Sequence, residues 1–274
     1  MSQAPALKKN VIPTSKVVLD ITAMIITFNE APNIARTLDA VAWVKEIVIV
    51  DSGSTDETLA IVARYANARV VTRKFDSFAE QCNFGLSQVR TDWVLSLDAD
   101  YELTNEVASN MRELVPGLNI SGFRLGFVYR IFGRPLQGTL YPPRVVLYRR
   151  DRAHYQNEGH GHRVAIDGTV QDLPGVIYHD DRKPLGRWFA SQANYARLEA
   201  EHLLAADRKS LGMADRIRLM GWPAPFVAGF YVLFVKGCIR NGWAGWYYVL
   251  QRVLAEMLLA IELTDRRLRD RARG

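Results

Sequence analysis

From Ile21 onward the chain alternates short apolar runs with polar turns and stretches of helical period. The runs ITAMIIT (21–27), IVIV (47–50), RVV (69–71) and WVLSL (93–97) are rich in β-branched residues and nearly continuous. Strands covered on both faces look like this, and such strands are characteristic of parallel sheets. Pro32 to Trp43 follows the first run, with Ile34, Leu38, Val41 and Ala42 at helical spacing. Ser54 to Ala66 follows the second, with Leu59, Val62 and Ala63 on one face, and Ser54 with Glu57 reads as a capping box. The alternation predicts right-handed β-α-β units in a doubly wound α/β sheet, which binds ligands outside the carboxyl ends of its strands.

After about residue 120 the rhythm changes to SGFRLGFVYRIFG, PPRVVLYRRD and a His-rich turn, which predicts mixed or antiparallel additions on an acceptor side. Pro184 to Asp207 is helical in pattern. Beyond it, Leu219 to Val235 is an uncharged stretch of 17 residues broken by Gly221, Pro223, Pro225 and Gly229. A straight span needs roughly 20 apolar residues, so this stretch predicts a re-entrant or in-plane element. The following segment, 241–263, reads as an amphipathic helix with Val249, Val253, Met257 and Ile261 on one stripe and Arg252, Glu256 and Glu262 elsewhere. The expected organisation is a loose leader (1–19), an α/β half (20–120), an acceptor-side half (121–207) and membrane-associated helices (208–274).

Charge sharpens this division. The chain of 274 residues carries a net +6, but residues 208–274 hold 12 Lys or Arg against 5 Asp or Glu, leaving 23 against 24 for the rest. Three of the six tryptophans, Trp222, Trp243 and Trp246, lie in the same basic quarter, and the chain ends in RRLRDRARG. Basic and aromatic residues around an apolar stretch predict an anionic membrane surface as partner. No basic groove or sheet is evident, so nucleic acid is not expected. Cys82 and Cys238 have neither disulfide nor zinc spacing and suit a reducing compartment. The first 16 residues have lysines but no apolar run behind them, so no signal peptide is expected.

Three polar clusters fall where the strands would expose them: TFNE (27–30), DSGSTD (51–56) and DAD (98–100). A lone D-x-D is a weak motif. Here it ends a buried strand, and alternate residues of an extended chain point the same way. Asp98 and Asp100 are then a natural anionic pair for Mg²⁺ or Mn²⁺ bridging a diphosphate.

In this order and spacing, IITFNEAPNIARTLDAV, EIVIVDSGSTDETLAI, FAEQCNFGL and WVLSLDAD resemble the family 2 glycosyltransferases of the GT-A fold. The subgroup most similar acts on lipopolysaccharide core or lipid-linked glycans. The resemblance is strong over about residues 20–150 and loose beyond. It implies a GT-A-like, mainly parallel sheet with an acceptor-side extension, and an inverting, metal-dependent transfer from a nucleotide diphosphate sugar, with UDP as the expected nucleotide. The acceptor it implies is a lipid-linked or polysaccharide saccharide at the cytoplasmic face of the inner membrane, with the enzyme held there peripherally or monotopically. An oligomer through the C-terminal helices is a further expectation.

Carried over by position, the resemblance implies that Thr27, Asn29 and Glu30 hold the nucleobase and ribose. Asp51 accepts a hydrogen bond from a uracil-type base, Asp98 meets ribose or metal, and Asp100 ligates the metal. Ser52 and Gly53 either touch the donor or simply shape the turn, and Ser54 and Thr55 share that choice. Many relatives have Ala-Arg-Asn where this chain has Gln81-Cys82-Asn83, so an arginine is missing, and Arg73 is the candidate to replace it.

The catalytic base is expected in NEGHGHRVAIDG. Counting back from Asp167-Gly168 favours His162, chemical identity favours Glu158, and His160 lies between them. IYHDDRKPLGRW (177–188) reads either as a solvated turn or as a binder of acceptor phosphate. A sugar nucleotidyltransferase is the nearest rival enzyme, but TFNEAPN offers acid where its triphosphate loop needs base. A catalytically silent membrane-bound glycan-binding module is the rival outside enzymes.

Overall fold

The computed structural model describes residues 19–273 except 159 and 160, with backbone alone at 158, 161 and 162. Its first half matches the expected alternation. β1 (Ile21–Thr27), β2 (Glu46–Asp51), β3 (Ala68–Thr72) and β4 (Trp93–Asp98) are parallel, in the order β3-β2-β1-β4. The connecting helices are α1 (Ile34–Val41), α2 (Thr58–Val62) and α3 (Phe78–Gln88).

Alternation along each strand separates two cores. Ile21, Ala23, Ile25, Ile47 and Ile49 pack with Ile34, Leu38 and Val41 of α1. Met24, Val48 and Val50 pack on the other face with Ala79, Cys82 and Leu86 of α3. Gly85 allows the close approach there: a Cβ at this position would lie 2.6 Å from the Met24 sulfur and 3.0 Å from Val50 Cγ2. β3 departs from expectation. It is the edge strand, and Val70 is exposed.

Beyond β4 come β5 (Tyr101–Leu103), α4 (Asn105–Arg112), β6 (Ile120–Ile131), β7 (Arg134–Pro135), β8 (Arg144–Arg149) and the β9–β10 hairpin (Ala153–Glu158 and Gly161–Ile166). β11 (Thr169–His179) completes the sheet, which continues from β4 as β8-β6-β11-β5. β8 is antiparallel to β4 and β6, whereas β11 is parallel to β6. β11 also pairs antiparallel with β5, so His179 lies opposite Tyr101. This pairing joins the loop after β11 to the D-x-D at the end of β4.

The C-terminal helices are α5 (Leu185–Ala205), α6 (Met213–Met220), α7 (Pro223–Phe230), continued by a π-helical turn at Tyr231–Val235, and α8 (Gly242–Arg273). α8 packs on α5 through Leu259 and Leu263 against Ala196, Ala200 and Leu203. The expected stripe on α8 is only half present: Val249 is buried, but Met257 and Ile261 are exposed. Each four-residue step overshoots a full turn by about 40°, so a run at that spacing rotates off a straight contact face. Glu256 lies on the buried face instead, where Arg218 of α6 donates to both its oxygens at 2.9 to 3.2 Å.

Candidate active site

The loops after β1 and β2 brace each other. Asn29 adopts φ 54°, a left-handed conformation that Asn tolerates better than most residues. Its amide N–H donates to Ser54 Oγ at 2.8 Å, and its Oδ1 accepts from Thr55 N at 2.7 Å. Buried Asp51 shapes the second loop: its Oδ2 accepts from Gly53 N and Ser54 N at 2.8 and 2.9 Å, and its Oδ1 from Ser54 Oγ at 2.5 Å. Gly53 turns at φ 93°, open to glycine at little cost. The capping box is not formed. α2 begins only at Thr58, whose N–H donates to Asp56 at 3.0 Å, because the Ser54 hydroxyl is engaged with Asp51 and Asn29.

Thr27, Asn29, Glu30, Asp51, Ser52 and Gly53 thus come together at the carboxyl ends of β1 and β2. Gln81 and Arg73 join them: Gln81 Nε2 donates to Ser52 Oγ at 2.8 Å, and Arg73 Nη1 donates to Gln81 Oε1 at 3.0 Å. Cys82 faces the core, and burial, with the charge of Asp98 nearby, raises its thiol pKa. Arg73 is therefore the cation beside these loops on the β3 side, although it also pairs with Asp76 at 2.7 Å.

A second group gathers around Asp100. Its Oδ2 lies 3.3 Å from His179 Nε2 and 3.6 Å from Lys183 Nζ. Lys183 Nζ also lies 2.8 Å from Glu30 Oε1 and 3.4 Å from Asp181 Oδ1. Burial alone would raise the Asp100 carboxyl, but His179 and Lys183 outweigh it and hold the group well below the usual range. Burial opposes charge on His179 and Lys183 too, yet Asp100 and its acidic neighbours raise both. Glu30 is raised by burial and by Asp100.

The segment 177–188 is no solvated turn. Asp180 is fully buried, and its Oδ2 accepts from Gly133 N at 2.9 Å and from Arg182 Nε and Nη2 at 3.1 and 2.7 Å. Asn33 links the two groups by donating to Glu30 at 2.9 Å and Asp181 at 3.1 Å. Arg36 donates to the Asp180 carbonyl at 2.7 Å, and Arg187 of α5 donates to the carbonyls of Phe28 and Asn29. Sequence reasoning missed Asn33, Arg36 and Arg187 as site residues. Only the density of polar residues in NEAPNIAR and DDRKPLGR hinted at them.

Of the base candidates, His160 lies outside the described residues, as do the side chains of Glu158 and His162. Their backbones flank the hairpin turn, with Glu158 opposite Gly161 and His162 opposite Asn157. The turn is held from a distance. Asn83 of FAEQCNF donates to the Tyr155 carbonyl at 3.0 Å and accepts from its N–H at 2.9 Å, and the Tyr155 hydroxyl donates to Ser96 at 2.8 Å. Asn83 is therefore an anchor for the hairpin that carries those candidates.

Among the described residues no three His, Cys, Asp or Glu side chains form a ready-made metal cage. Magnesium-like ions do not need one, since they take one or two carboxylates and complete their shell with water and phosphate oxygens. Half-buried Asp98 and buried Asp100 suit that chemistry. Asp100 Oδ1 is buried with no hydrogen-bond partner, which leaves a free anionic oxygen for a divalent ion.

A mixed sheet whose first four strands are parallel, with acidic loops gathered at their carboxyl ends, puts the chain in the class of GT-A glycosyltransferases. It belongs to glycosyl transferase family 2, whose family model matches residues 22–161. A glycosyltransferase of Rickettsia felis is 31% identical over 238 residues, 81% of this chain and 84% of the relative. The lipopolysaccharide core biosynthesis glycosyltransferase LpsC of Rhizobium meliloti is 26% identical over 262 residues, 90% of this chain and 93% of the relative. Among solved structures, glucosyl-3-phosphoglycerate synthase from Mycobacterium tuberculosis, in complex with Mn²⁺, UDP and phosphoglyceric acid, aligns with a TM-score of 0.47 and 19% identity over 71% of this chain and 82% of that one.

Proposed function

We propose that this glycosyltransferase moves a sugar, with inversion, from a nucleotide diphosphate donor, UDP-linked by preference, to a lipid-linked or lipopolysaccharide-type saccharide. The observation that carries this reading is the meeting of Glu30, Asp100, His179 and Lys183 at the carboxyl ends of β1 and β4, where Asp98 ends β4. The Asp51 loop offers the donor's base and ribose a rigid polar wall. A bound Mg²⁺ or Mn²⁺, held by Asp98 and Asp100, would neutralise charge on the departing diphosphate. The acceptor hydroxyl oxygen attacks the anomeric carbon as the bond to the diphosphate oxygen breaks, and the electron pair leaves with the diphosphate. The hydroxyl proton passes to a base on the β9–β10 turn, drawn from Glu158, His160 and His162. Similarity to LpsC supports a lipopolysaccharide-type acceptor. Release of free nucleotide from a panel of UDP-, GDP- and dTDP-sugars tests the donor: a preference for UDP-sugars supports the reading, and indifference to all three contradicts it.

We also propose that α6 to α8 rest on the anionic cytoplasmic face of a membrane. Trp222, Phe226, Phe230, Phe234, Trp243 and Leu250 are all more than half exposed. Among the described residues no single helix is long and apolar enough to cross a membrane, while Pro223–Val235 and Cys238–Arg273 form a pair bent by 70° that could together make a broken span. Aromatic side chains suit the headgroup boundary, and five arginines near the C-terminus suit anionic lipid. Co-sedimentation with liposomes should increase with anionic lipid content. A protein that stays in the supernatant at low salt, or that covers this face by dimerising, contradicts the membrane reading.

A further inference from the structure

Lys183 is placed with unusual constraint for a lysine. It lies between β11 and α5, directly before Pro184. Its own N–H donates to Asp181 Oδ1 at 3.0 Å, which fixes the direction in which the side chain leaves. The ammonium then meets carboxylates from three separate segments, at 2.8 Å (Glu30), 3.4 Å (Asp181) and 3.6 Å (Asp100), and the side chain is only 17% exposed. The second oxygen of Asp100 is buried and has no partner. The site thus already holds Lys183 as a fixed cation, beside the imidazole of His179 at 3.3 Å, against the carboxylate that a divalent ion would use.

Two cations a few ångströms apart repel, so an ion arriving alone at Asp100 must displace Lys183 or share the carboxylate with it. An ion arriving with a diphosphate brings oxygens that complete its own shell. The same phosphates offer the displaced ammonium a charge-assisted partner. We propose that Lys183 is the resident cation of the D-x-D site: it occupies Asp100 in the free enzyme, so that a divalent ion binds there only together with a nucleotide diphosphate, whose phosphate oxygens then take the ammonium. The inference rests on the donor reading above and goes further, because it specifies how metal and nucleotide binding are coupled.

The test is Mn²⁺ binding to the full chain, followed by the electron paramagnetic resonance signal of free Mn²⁺, with and without UDP. Wild type should bind Mn²⁺ weakly alone and much more tightly with UDP. Lys183→Met should bind Mn²⁺ alone about tenfold more tightly than wild type, since one repelling charge is gone, and should lose most of the gain from UDP. Lys183→Arg, which keeps the charge, should behave as wild type. Should the Met variant lose its cooperative melt, Lys183→Gln carries the same expectation while retaining a donor toward Glu30. Wild type that responds to UDP while both neutral variants bind Mn²⁺ alone no better than wild type overturns the role of Lys183 and leaves the donor reading standing. Absence of Mn²⁺ binding by every form, even with UDP, overturns both.

Discussion

Asp180→Asn should separate scaffold from chemistry in the loop after β11. The Asp180 carboxylate is fully buried and receives three N–H groups on one oxygen, one from Gly133 and two from Arg182. Its backbone is part of the frame as well, donating to the Asp100 carbonyl at 3.2 Å and accepting from Arg36 at 2.7 Å. Asparagine keeps the volume and can set its carbonyl oxygen where the three donors meet, but it removes the charge and puts an amide NH2 in the place of the buried oxygen that has no partner. Hydrogen bonds to a charged group contribute about 1.5–3 kcal/mol each. The three bonds weaken to those of a neutral acceptor and the buried amide group finds no acceptor of its own, while Arg182, about a third exposed, recovers part of its loss in water. The sum is about 2–4 kcal/mol, with the Arg182 share discounted for solvent screening. In a chain of this length that lowers Tm by roughly 4–16 °C. Asp181→Asn, at a less buried position, should lower Tm by less than half as much while weakening donor binding, because it loosens Lys183. Differential scanning calorimetry reads the first effect and UDP titration the second. If Asp180→Asn melts within about 1 °C of wild type, the buried network is not what holds this loop, and the argument fails.

Other consequences can be checked in the same way. Gly85→Ala should destabilise by about 1–3 kcal/mol despite the better helix propensity of Ala, because the new Cβ meets Met24 and Val50; an unchanged or higher Tm refutes the close-packing argument. Glu256→Ala should cost about 1–3 kcal/mol, since Arg218 loses its closest partner in the α6–α8 contact while keeping Asp215 and Glu199; a denaturant midpoint equal to that of wild type contradicts it. The Tyr65 hydroxyl is pushed up to about 12 by burial and by the Asp39 carboxylate to which it donates. A raised value means that its stabilisation is intact below the ordinary value of 10.0 and fades as pH rises toward about 12. The Tm gap between wild type and Tyr65→Phe should therefore be constant near neutrality and narrow above about pH 10; a gap that widens there reverses the sign and refutes the assignment. Asn83→Ala should slow transfer with little change in UDP affinity, because it frees the hairpin rather than the donor loops; an equal loss of both measurements contradicts that separation.

The parallel half of the fold was legible because its strands declare themselves locally. β1 has the expected bounds, and β2 and β4 differ from expectation by a residue at one or both ends. The acidic ends of those strands followed directly, since in a parallel sheet all of them emerge at the same pole. α2 was overextended because a Ser-x-x-Glu pattern cannot reveal that the serine is held by Asp51 and Asn29. The periodicity of α8 puts Glu256 off the apolar stripe, and it cannot reveal a partner, Arg218, that lies 38 residues away. The same limit applies at the site: Lys183 and Glu30 are 153 residues apart, and only the folded chain brings them together. Asn83 was noticed as part of a motif, but its task became visible only once Tyr155 lay beside it.

The most direct test of the central claim is UDP titration by calorimetry, with and without Mn²⁺, on wild type and Asp100→Asn. Asparagine at this position removes an anionic ligand and keeps the volume, at the cost of the charge that faces His179 and Lys183. The account predicts that Mn²⁺ strengthens UDP binding to wild type by about tenfold or more, and that Asp100→Asn keeps its fold and loses this enhancement. Full Mn²⁺ enhancement in the Asp100→Asn variant, or UDP binding to wild type that ignores Mn²⁺, would contradict the assignment of the D-x-D as the donor's metal site.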